Sequence, residues 1–532
     1  MALLLIAAGP WLATNRWCRL VALVAVLGLG LVHQLMFASL AEDAFISFRY
    51  AMNLAEGNGL VFNVGERVEG YSNFLWVLLI AAPRALFDAD IVLVARVLGI
   101  GCALGCVVPA YLLAGRIAGG SAGVLAAAIT AASSSLAAYG PSGLETPLFA
   151  LLVLATLVAA LSGRTFSAGL LVALATMTRP DGVVVAVLLG LWLIIQPLRG
   201  RARWHAPVLF VAGAVLLAGP WTLWRLDYYR YFLPNALAAK SGMPLDDLLD
   251  QGWRYLTGFR EATWALLILV PLAILAQLVR WRRIPGYARG PVWLVLILAI
   301  GQAVFVDFVG GDWMPGWRLL APVMPLLAVG LAATCVLVRG GDPDRRTPVA
   351  DRIGPILAAT VSAQLLVASV YNPSMKGHFD AWKSELYEMS SMGAWVHRTL
   401  PPGTVIATYA NGALSYEAGP RLTVVDVLGL TDEHIARRGK RLPGAVVGHA
   451  AYDYAYVVNV RKPDIIFMRG NGFSLVPACD FMPELKDHYQ GVVFRVAGKA
   501  RWAPVYVRKE RADSVVRMLD ADPDFDRARC PA

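Results

Sequence analysis

The feature that most limits how this chain can fold is the succession of long apolar runs in its first 371 residues. Runs approaching the roughly 20 residues a membrane-spanning helix needs occur at about 19–40, 91–115, 121–139, 145–162, 206–224, 262–280, 290–308, 318–338 and 353–371. Two shorter runs, 166–178 and 182–197, flank Arg179-Pro180-Asp181-Gly182 and read as a tight helical pair. A bilayer offers no water to backbone amides, so each run is expected to be helical. Only 16% of the 532 residues are charged and 58% are hydrophobic, against about 25% charged in an ordinary globular domain. The mean hydropathy is +0.58, and the chain reads as a polytopic α-helical membrane protein with about eleven transmembrane helices.

Arg and Lys in the short loops set the orientation. The basic loops are Arg16/Arg19, Arg116, Arg164, Arg199–Arg203, Arg280–Arg289 and Arg339–Arg352, and these are placed in the cytoplasm. Segments 41–73, 139–146, 179–181, 225–261, 308–318 and everything after 371 then face outward. Counting Phe74–Phe87, which Pro83 and Arg84 interrupt, as a full span would put Arg116 outside and the C-terminus inside. It is therefore read as a re-entrant or interfacial segment, with the N-terminus in and the C-terminus out. The N-terminal segment is apolar first and basic second, the reverse of a signal peptide, and reads as an uncleaved lead-in. The net charge of +10 is spread over loops without a basic run, which disfavours nucleic acid as a partner.

Beyond Tyr371 the character changes. Residues 372–532 carry most of the charge and read as a soluble extracytoplasmic α/β domain, whereas 1–371 form the membrane domain. Trp382–Thr399 has the pattern of an amphipathic helix. Thr404–Tyr409, Leu422–Val427, Asp464–Met468 and Gly491–Val496 are short β-branched or aromatic runs bounded by Gly and Pro, as strands are. Cys479 and Cys530 are open to two readings, a disulfide in an oxidising compartment or two free thiols.

Polar residues gather on the face assigned to the outside. The first loop, 41–73, carries the adjacent carboxylates Glu42 and Asp43, then Arg49, Arg67, Glu69, Tyr71, Ser72 and Asn73. Later loops carry Glu145, Arg179 and Asp181, Arg230, Asn235 and Lys240, and Asp312, Trp313 and Arg318. A carboxylate pair at the mouth of a membrane is costly unless solvated, paired or used. A base that takes a proton from a sugar hydroxyl must be ionised and within hydrogen-bond reach, which suits Glu42 or Asp43. Arg49, Arg179, Arg230, Lys240 and Arg318 are candidates for a phosphate, since guanidinium forks match phosphate oxygens; snorkelling to headgroups accounts equally for Arg49 and Arg318. Glu69, Tyr71, Asn73, Glu145, Asn235, Asp312 and Trp313 are candidates for sugar or acceptor binding. Aromatic belts and a helix-dipole charge are the plain alternatives for the Tyr and Trp residues and for Glu145. Asp426, Asp432 and His434 either line an acceptor surface or simply cap a helix and make a turn. Walker, GxGxxG, HExxH and Cys-based metal patterns are missing, and no metal site is assigned.

The run EDAFISFRYAMNLAEGNGLVFNVGERVEGYSNFLW, from Glu42 to Trp76, resembles the first extracytoplasmic loop of GT-C membrane glycosyltransferases. Within that group it most resembles the terminal β-(1→2) arabinofuranosyltransferases of mycobacterial cell-wall synthesis. SGLET at 142–146, TRPDG at 178–182, PNAL at 234–237, GGDWMPGWRLLAP at 310–322 and VDVLGLTDEHIARR at 425–438 resemble further segments of the same family. The resemblance implies a GT-C-like fold in a bacterial inner membrane and a lipid-phosphate donor such as decaprenyl-phosphoryl-arabinofuranose. It also implies inverting transfer to a hydroxyl of arabinogalactan or lipoarabinomannan; apart from the resemblance, the C-terminal domain is a candidate acceptor-binding module. The family's base is an acidic residue of this loop, often in an Asp-Asp pair. The pair here is Glu42-Asp43, so Asp43 is expected to be the base and Glu42 is the alternative. Some relatives use a divalent cation, but Glu42, Asp43 and Asp312 are too few to specify one.

Two other functions fit parts of the pattern. A GT-C transferase of another polyprenyl-phosphate sugar, or one with a protein or lipid acceptor, would share the loops. A polyprenyl-linked sugar transporter would place its ionisable residues near the bilayer midplane in repeated halves, and no repeat is visible.

Overall fold

The computed structural model describes residues 15–200, 203–338, 348–468 and 478–530. The lead-in before Asn15, residues 201–202 of the Arg199–Arg203 loop and residues 339–347 of the Arg339–Arg352 loop lie outside the described residues. The chain divides into two compact units. One comprises Met1–Ser39, Ala95–Trp224 and Leu245–Phe379; the other comprises Leu40–Val94, Arg225–Pro244 and Asp380–Ala532.

The first unit is helical, and every apolar run read from the sequence is a helix. Among the described residues, six helices are long and apolar enough to cross a membrane: Arg16–Leu35, Ile91–Ala118, His205–Tyr229, Gly286–Phe308, Arg318–Leu337 and Ile353–Tyr371. A seventh is possible if Leu245–Ala262 and Trp264–Val279, bent by 92°, make one broken span. Gly120–Ala131, Thr146–Leu161, Thr165–Thr178 and Gly182–Leu198 are shorter apolar helices. The protein is thus a polytopic helical membrane protein, in which length alone identifies six or seven spans. The run 121–139 breaks because Ser133 caps a new helix, Ser134–Tyr139, by accepting from Leu136 N at 3.3 Å. Gly120–Ala131 is buried from Ala122 to Ala131. Its small side chains admit close neighbours, and it packs against Arg16–Leu35, Val107–Ala118, Val323–Leu337 and Pro348–Tyr371.

The second unit is α/β. Its eight strands are β1 Val405–Thr408, β2 Thr423–Asp426, β3 Lys440–Arg441, β4 Ala451–Tyr452, β5 Ile465–Phe467, β6 Tyr489–Val496, β7 Ala503–Arg508 and β8 Phe525–Ala528. Six form one sheet in the order β2-β1-β5-β7-β6-β8, while β3 and β4 pair by themselves. β1 runs parallel to β2 and β5, with Ile406 opposite Val424 and Ile465. β7 is antiparallel to β5 and β6, and β6 to β8. Ala407, Val425, Ile435, Val457, Ile466, Tyr489 and Tyr506 form its core. All four strands expected from the sequence are present. β3, β4, β7 and β8 were not anticipated, and Cys479 and Cys530 are joined in a disulfide with Cα atoms 5.6 Å apart.

The boundary of this unit differs from a linear cut at 372. It begins at Asp380 and also takes in the first loop and Arg225–Pro244. Within it the helices Ala44–Ala55 and Phe74–Phe87 pack together, and Ala413–Ala418 packs on Ala44–Ala55. Phe74–Phe87 has 14 residues, about 21 Å at 1.5 Å per residue, less than the roughly 30 Å hydrocarbon core.

Candidate functional site

The carboxylate pair opens the helix Ala44–Ala55. Glu42 O accepts from Phe45 N at 3.1 Å and Asp43 O from Ile46 N at 3.2 Å, so both residues belong to the turn that starts it. Asp43 is the N-cap residue, in αR conformation (φ −59°, ψ −22°), yet its side chain makes no cap hydrogen bond. Its carboxylate therefore sits at the N-terminal end of a 12-residue helix without making its cap hydrogen bond.

Glu42 is held quite differently. Its Oε1 accepts from the N–H groups of Gly412 at 2.5 Å and Ala413 at 3.1 Å. A Cβ on Gly412 would lie 2.0 Å from the Glu42 carbonyl oxygen and 2.8 Å from Oε1, so only glycine permits this approach. Burial raises the Glu42 carboxyl to about 8; neighbouring Asp43 adds to the rise and the two amides oppose it. The segment around Gly412 was not singled out from sequence; the Asn411-Gly412 dipeptide, a turn signal, is the one cue it offers.

Arg49, expected to meet a phosphate, is fully buried. Its Nε donates to Phe62 O at 2.8 Å, and its terminal nitrogens donate to Leu422 O at 3.0 Å and to Ser415 O. The guanidinium lies over the Phe62 ring. A phosphate would find these donors engaged, so the geometry gives Arg49 the work of tying the loop to the sheet. Asn63, which sequence reasoning missed, pairs with the edge strand β2 as another strand would. Its Nδ2 donates to Val424 O and its Oδ1 accepts from Val424 N, both at 2.9 Å, which closes an otherwise open edge.

Tyr71 and Asn73 also turn inward. Tyr71 is 3% exposed, its hydroxyl 3.1 Å from that of Tyr229 and its ring edge-on to Tyr50, so it offers no open face for a sugar. Asn73 exchanges hydrogen bonds with Ser47 at 3.0 and 3.2 Å. Glu69 is paired with Arg225, whose Nε lies 2.7 and 2.8 Å from its two oxygens. Burial lifts Glu69 to about 7 despite that partner. Asn235 N donates to Glu69 O at 2.9 Å, and its Nδ2 faces the carbonyls of Gly429, Leu430 and Asp432 at 2.9–3.2 Å. PNAL is thus a clasp between Glu69 and the 429–432 turn.

Arg230 and Lys240 differ from these. Arg230 is exposed and pairs at 3.2 Å with an equally exposed Asp227, and Lys240 is half-buried at the end of the helix Asn235–Lys240. In the C-terminal turn, Asp426 accepts from Leu428 N and Thr431 N at 2.9 and 2.8 Å. Asp432 caps Glu433–Arg438 through Ile435 N. His434 meets Asp453 at 3.0 Å and stacks on Tyr456. The first two do turn and cap duty.

In the helical unit, Arg179 lies between two carboxylates. Its Nε is 2.9 Å from Asp181 Oδ1 and its Nη1 is 3.6 Å from Glu145 Oε1, all buried. Gln302 Nε2 donates to Asp181 Oδ2 at 2.5 Å. Arg318 Nε meets Asp312 Oδ2 at 2.7 Å, and Trp313 beside them is half-buried. Their loop needs left-handed backbone at Gly310, Gly311, Gly316 and Trp317, and a Cβ on Gly311 would come within 2.7 Å of Tyr255. Among the described residues no group of three or more His, Cys, Asp or Glu side chains could hold a metal ion. Glu42 Oε1 already accepts two amides. The residues present therefore do not assemble a divalent-cation ligand set, and no step is derived through one.

Comparison with known proteins agrees with the resemblance of the first loop. A family described as a domain of unknown function (DUF8728) matches residues 380–517, starting where the α/β unit resumes after the membrane helices. A terminal β-(1→2)-arabinofuranosyltransferase of Mycobacterium tuberculosis is 29% identical over 351 residues, 58% of this chain and 54% of that protein. The protein of the same name from Corynebacterium glutamicum is 28% identical over 344 residues, 57% of this chain and 49% of that one. The chain thus matches about half the length of these curated relatives. ArnT from Cupriavidus metallidurans, bound to undecaprenyl phosphate, is similar in structure with a TM-score of 0.58 at 14% identity, over 93% of this chain and 98% of that one. The fold is that of ArnT, and the chain is similar in sequence to the two arabinofuranosyltransferases.

Proposed function

We propose that this protein is an inverting glycosyltransferase of the bacterial inner membrane. It moves arabinofuranose from a polyprenyl-phosphate donor to a hydroxyl of a cell-envelope arabinan on the outer face. The observation that carries the mechanism is the contrast within the acidic pair: Asp43 starts a helix without capping it, whereas Glu42 is bound to two amides. Asp43 takes the proton of the acceptor hydroxyl, whose oxygen attacks the anomeric carbon as the bond to the donor phosphate breaks. The leaving group is a polyprenyl monophosphate, whose growing charge cations stabilise. Arg230 and Lys240 are the residues of the α/β unit assigned to that phosphate, since the exposed Arg230–Asp227 pair is weak enough to exchange.

The donor class draws on three supports: the names of the two relatives, the undecaprenyl phosphate bound by ArnT, and the absence of nucleotide sugars outside the cytoplasm. The Cys479–Cys530 bridge and the basic loops of the opposite face support an extracytoplasmic C-terminal unit. A second reading, transfer of another polyprenyl-phosphate sugar, draws on the likeness to ArnT, which covers more of the chain than the arabinofuranosyl relatives do.

The test is turnover of purified protein in lipid with synthetic decaprenyl-phosphoryl-arabinofuranose and an arabinan oligosaccharide. Asp43→Asn should lower kcat by about 10³-fold, in the range that general-base catalysis contributes, with the thermal midpoint unchanged. Near-normal turnover by this variant would remove Asp43 from its role. Turnover with a different polyprenyl-phosphate sugar in place of arabinofuranose would favour the second reading.

A further inference from the structure

Three contacts tie the first loop to the C-terminal part of the α/β unit, Glu42 to Gly412 and Ala413, Arg49 to Ser415 and Leu422, and Asn63 to Val424, and a fourth ties the Arg225–Pro244 segment to it through Asn235 and the 429–432 turn. Gly70 adds a fifth close approach, since a Cβ there would lie 2.5 Å from Thr431 and 3.0 Å from Leu430 O. The Asn63, Gly70 and Asn235 contacts lie well away from the acidic pair in sequence, while Arg49 sits on the helix that the pair starts. The Glu42 contact is different, because it grips the residue covalently adjacent to Asp43, in the same turn.

We infer that Glu42 is a positioning residue: through its bonds to the Gly412 and Ala413 amides, the C-terminal domain sets the orientation of Asp43. Several observations converge on this. The bonds join residues 370 and 371 apart in sequence, so they form only when the C-terminal domain is folded against the loop. The approach is tight at two points, since a Cβ on Gly412 would strike both the Glu42 carbonyl and its carboxylate. The Glu42 carbonyl also starts the helix through Phe45 N, so displacing it would tilt the turn that carries Asp43. Aromatic packing of Phe45 and Phe48 on Tyr416 keeps Ala413–Ala418 against the same helix. The groups facing Glu42 are Asp43 and Glu385, both acidic, so the contact is held by amides and not by an opposite charge. It would persist with a neutral acceptor in place of the carboxylate.

This inference rests on Asp43 being the base, and it predicts a split between two substitutions of Glu42. Glu42→Gln keeps a neutral oxygen for the two amides and should stay within about tenfold of wild-type kcat, a change on the scale of one neutral hydrogen bond. Glu42→Ala and Gly412→Ala should each lose about 10²-fold in kcat, the scale of a misplaced catalytic group, with donor KM little changed. If Glu42→Gln falls as far as Asp43→Asn, Glu42 is itself the base and the inference is overturned; wild-type kcat in Glu42→Ala overturns it as well.

An independent arm needs no turnover. Hydrogen exchange in the full-length protein should show Gly412 and Ala413 amides protected in the wild type and in Glu42→Gln, and fast in Glu42→Ala. Unchanged protection in Glu42→Ala would sink the contact whatever the substrate proves to be. Loss of protection, in a protein that does not use the arabinose donor, would preserve the contact and count against the proposed function alone.

Discussion

The Arg179 cluster of the helical unit and the Glu42 turn of the α/β unit treat buried charge in opposite ways. In the helical unit, Arg179 is flanked by Glu145 and Asp181, and Arg318 by Asp312, so each cation meets carboxylates directly. In the α/β unit Glu69 likewise meets Arg225, but Glu42 accepts from backbone amides, and burial raises it to about 8. Opposite charges in contact hold each other ionised and fix a structure. Amides satisfy an oxygen without supplying an opposite charge, so burial can still raise the group's hold on its proton. The amide-bound Glu42 stands beside the residue assigned the proposed chemistry.

The sharpest way to break that comparison is to remove the cation of the helical cluster. Arg179→Ala leaves two carboxylates buried together and should destabilise the protein by about 3–5 kcal/mol, as uncompensated buried charge does. Thermal unfolding in detergent would read it. A loss below about 1 kcal/mol, the range of solvated pairs, would mean the cluster is wet.

A smaller effect is expected from Asn63→Ala, which leaves Val424 N–H and C=O of the edge strand unpartnered. About 1–3 kcal/mol should be lost from the α/β unit, seen as faster exchange of the β2 amides. Unaltered exchange there would show that the edge is closed by something other than Asn63.

The smallest effect is a pH signature. Glu42 binds its proton up to about 8 in the folded protein, against an ordinary value of 4.5. Its contribution to stability is therefore fully present below 4.5 and is lost as pH rises through about 8. Glu69, raised to about 7, and Asp426, raised to about 6, act the same way over lower windows. Asp43 and Glu385 face Glu42 and share its field. Glu42→Gln should therefore flatten the fall in melting temperature from about pH 4.5 to 8, and the part between 7 and 8, above the Glu69 window, isolates it. An unaltered slope there would assign the titration to another group.

Much of the architecture is written locally. Each membrane helix is announced by its own apolar run, and β1, β2, β5 and β6 by short β-branched segments between Gly and Pro. The position of the acidic pair at the end of the first run was equally legible. Residue roles were less so. Arg49 and Tyr71 look like a phosphate ligand and a sugar platform in a polar loop, yet both are interior. Nothing near them in sequence reveals that carbonyls of 415 and 422, or the ring of Tyr229, will surround them. Arg225, the partner of Glu69, had a visible cue as a cation at the end of the 206–224 run. Asn63 had none.

By itself, then, the sequence determined which segments are apolar helices, where four short strands lie, and where two carboxylates stand. Those properties follow from hydrophobic period and turn chemistry over a few neighbouring residues. Only the tertiary structure decided that Glu42 and Asp43 are unlike each other, that Cys479 finds Cys530, and that the first loop folds with the C-terminal domain. Buried polar groups must find partners wherever the fold supplies them, and for Glu42 those partners lie 370 and 371 residues away.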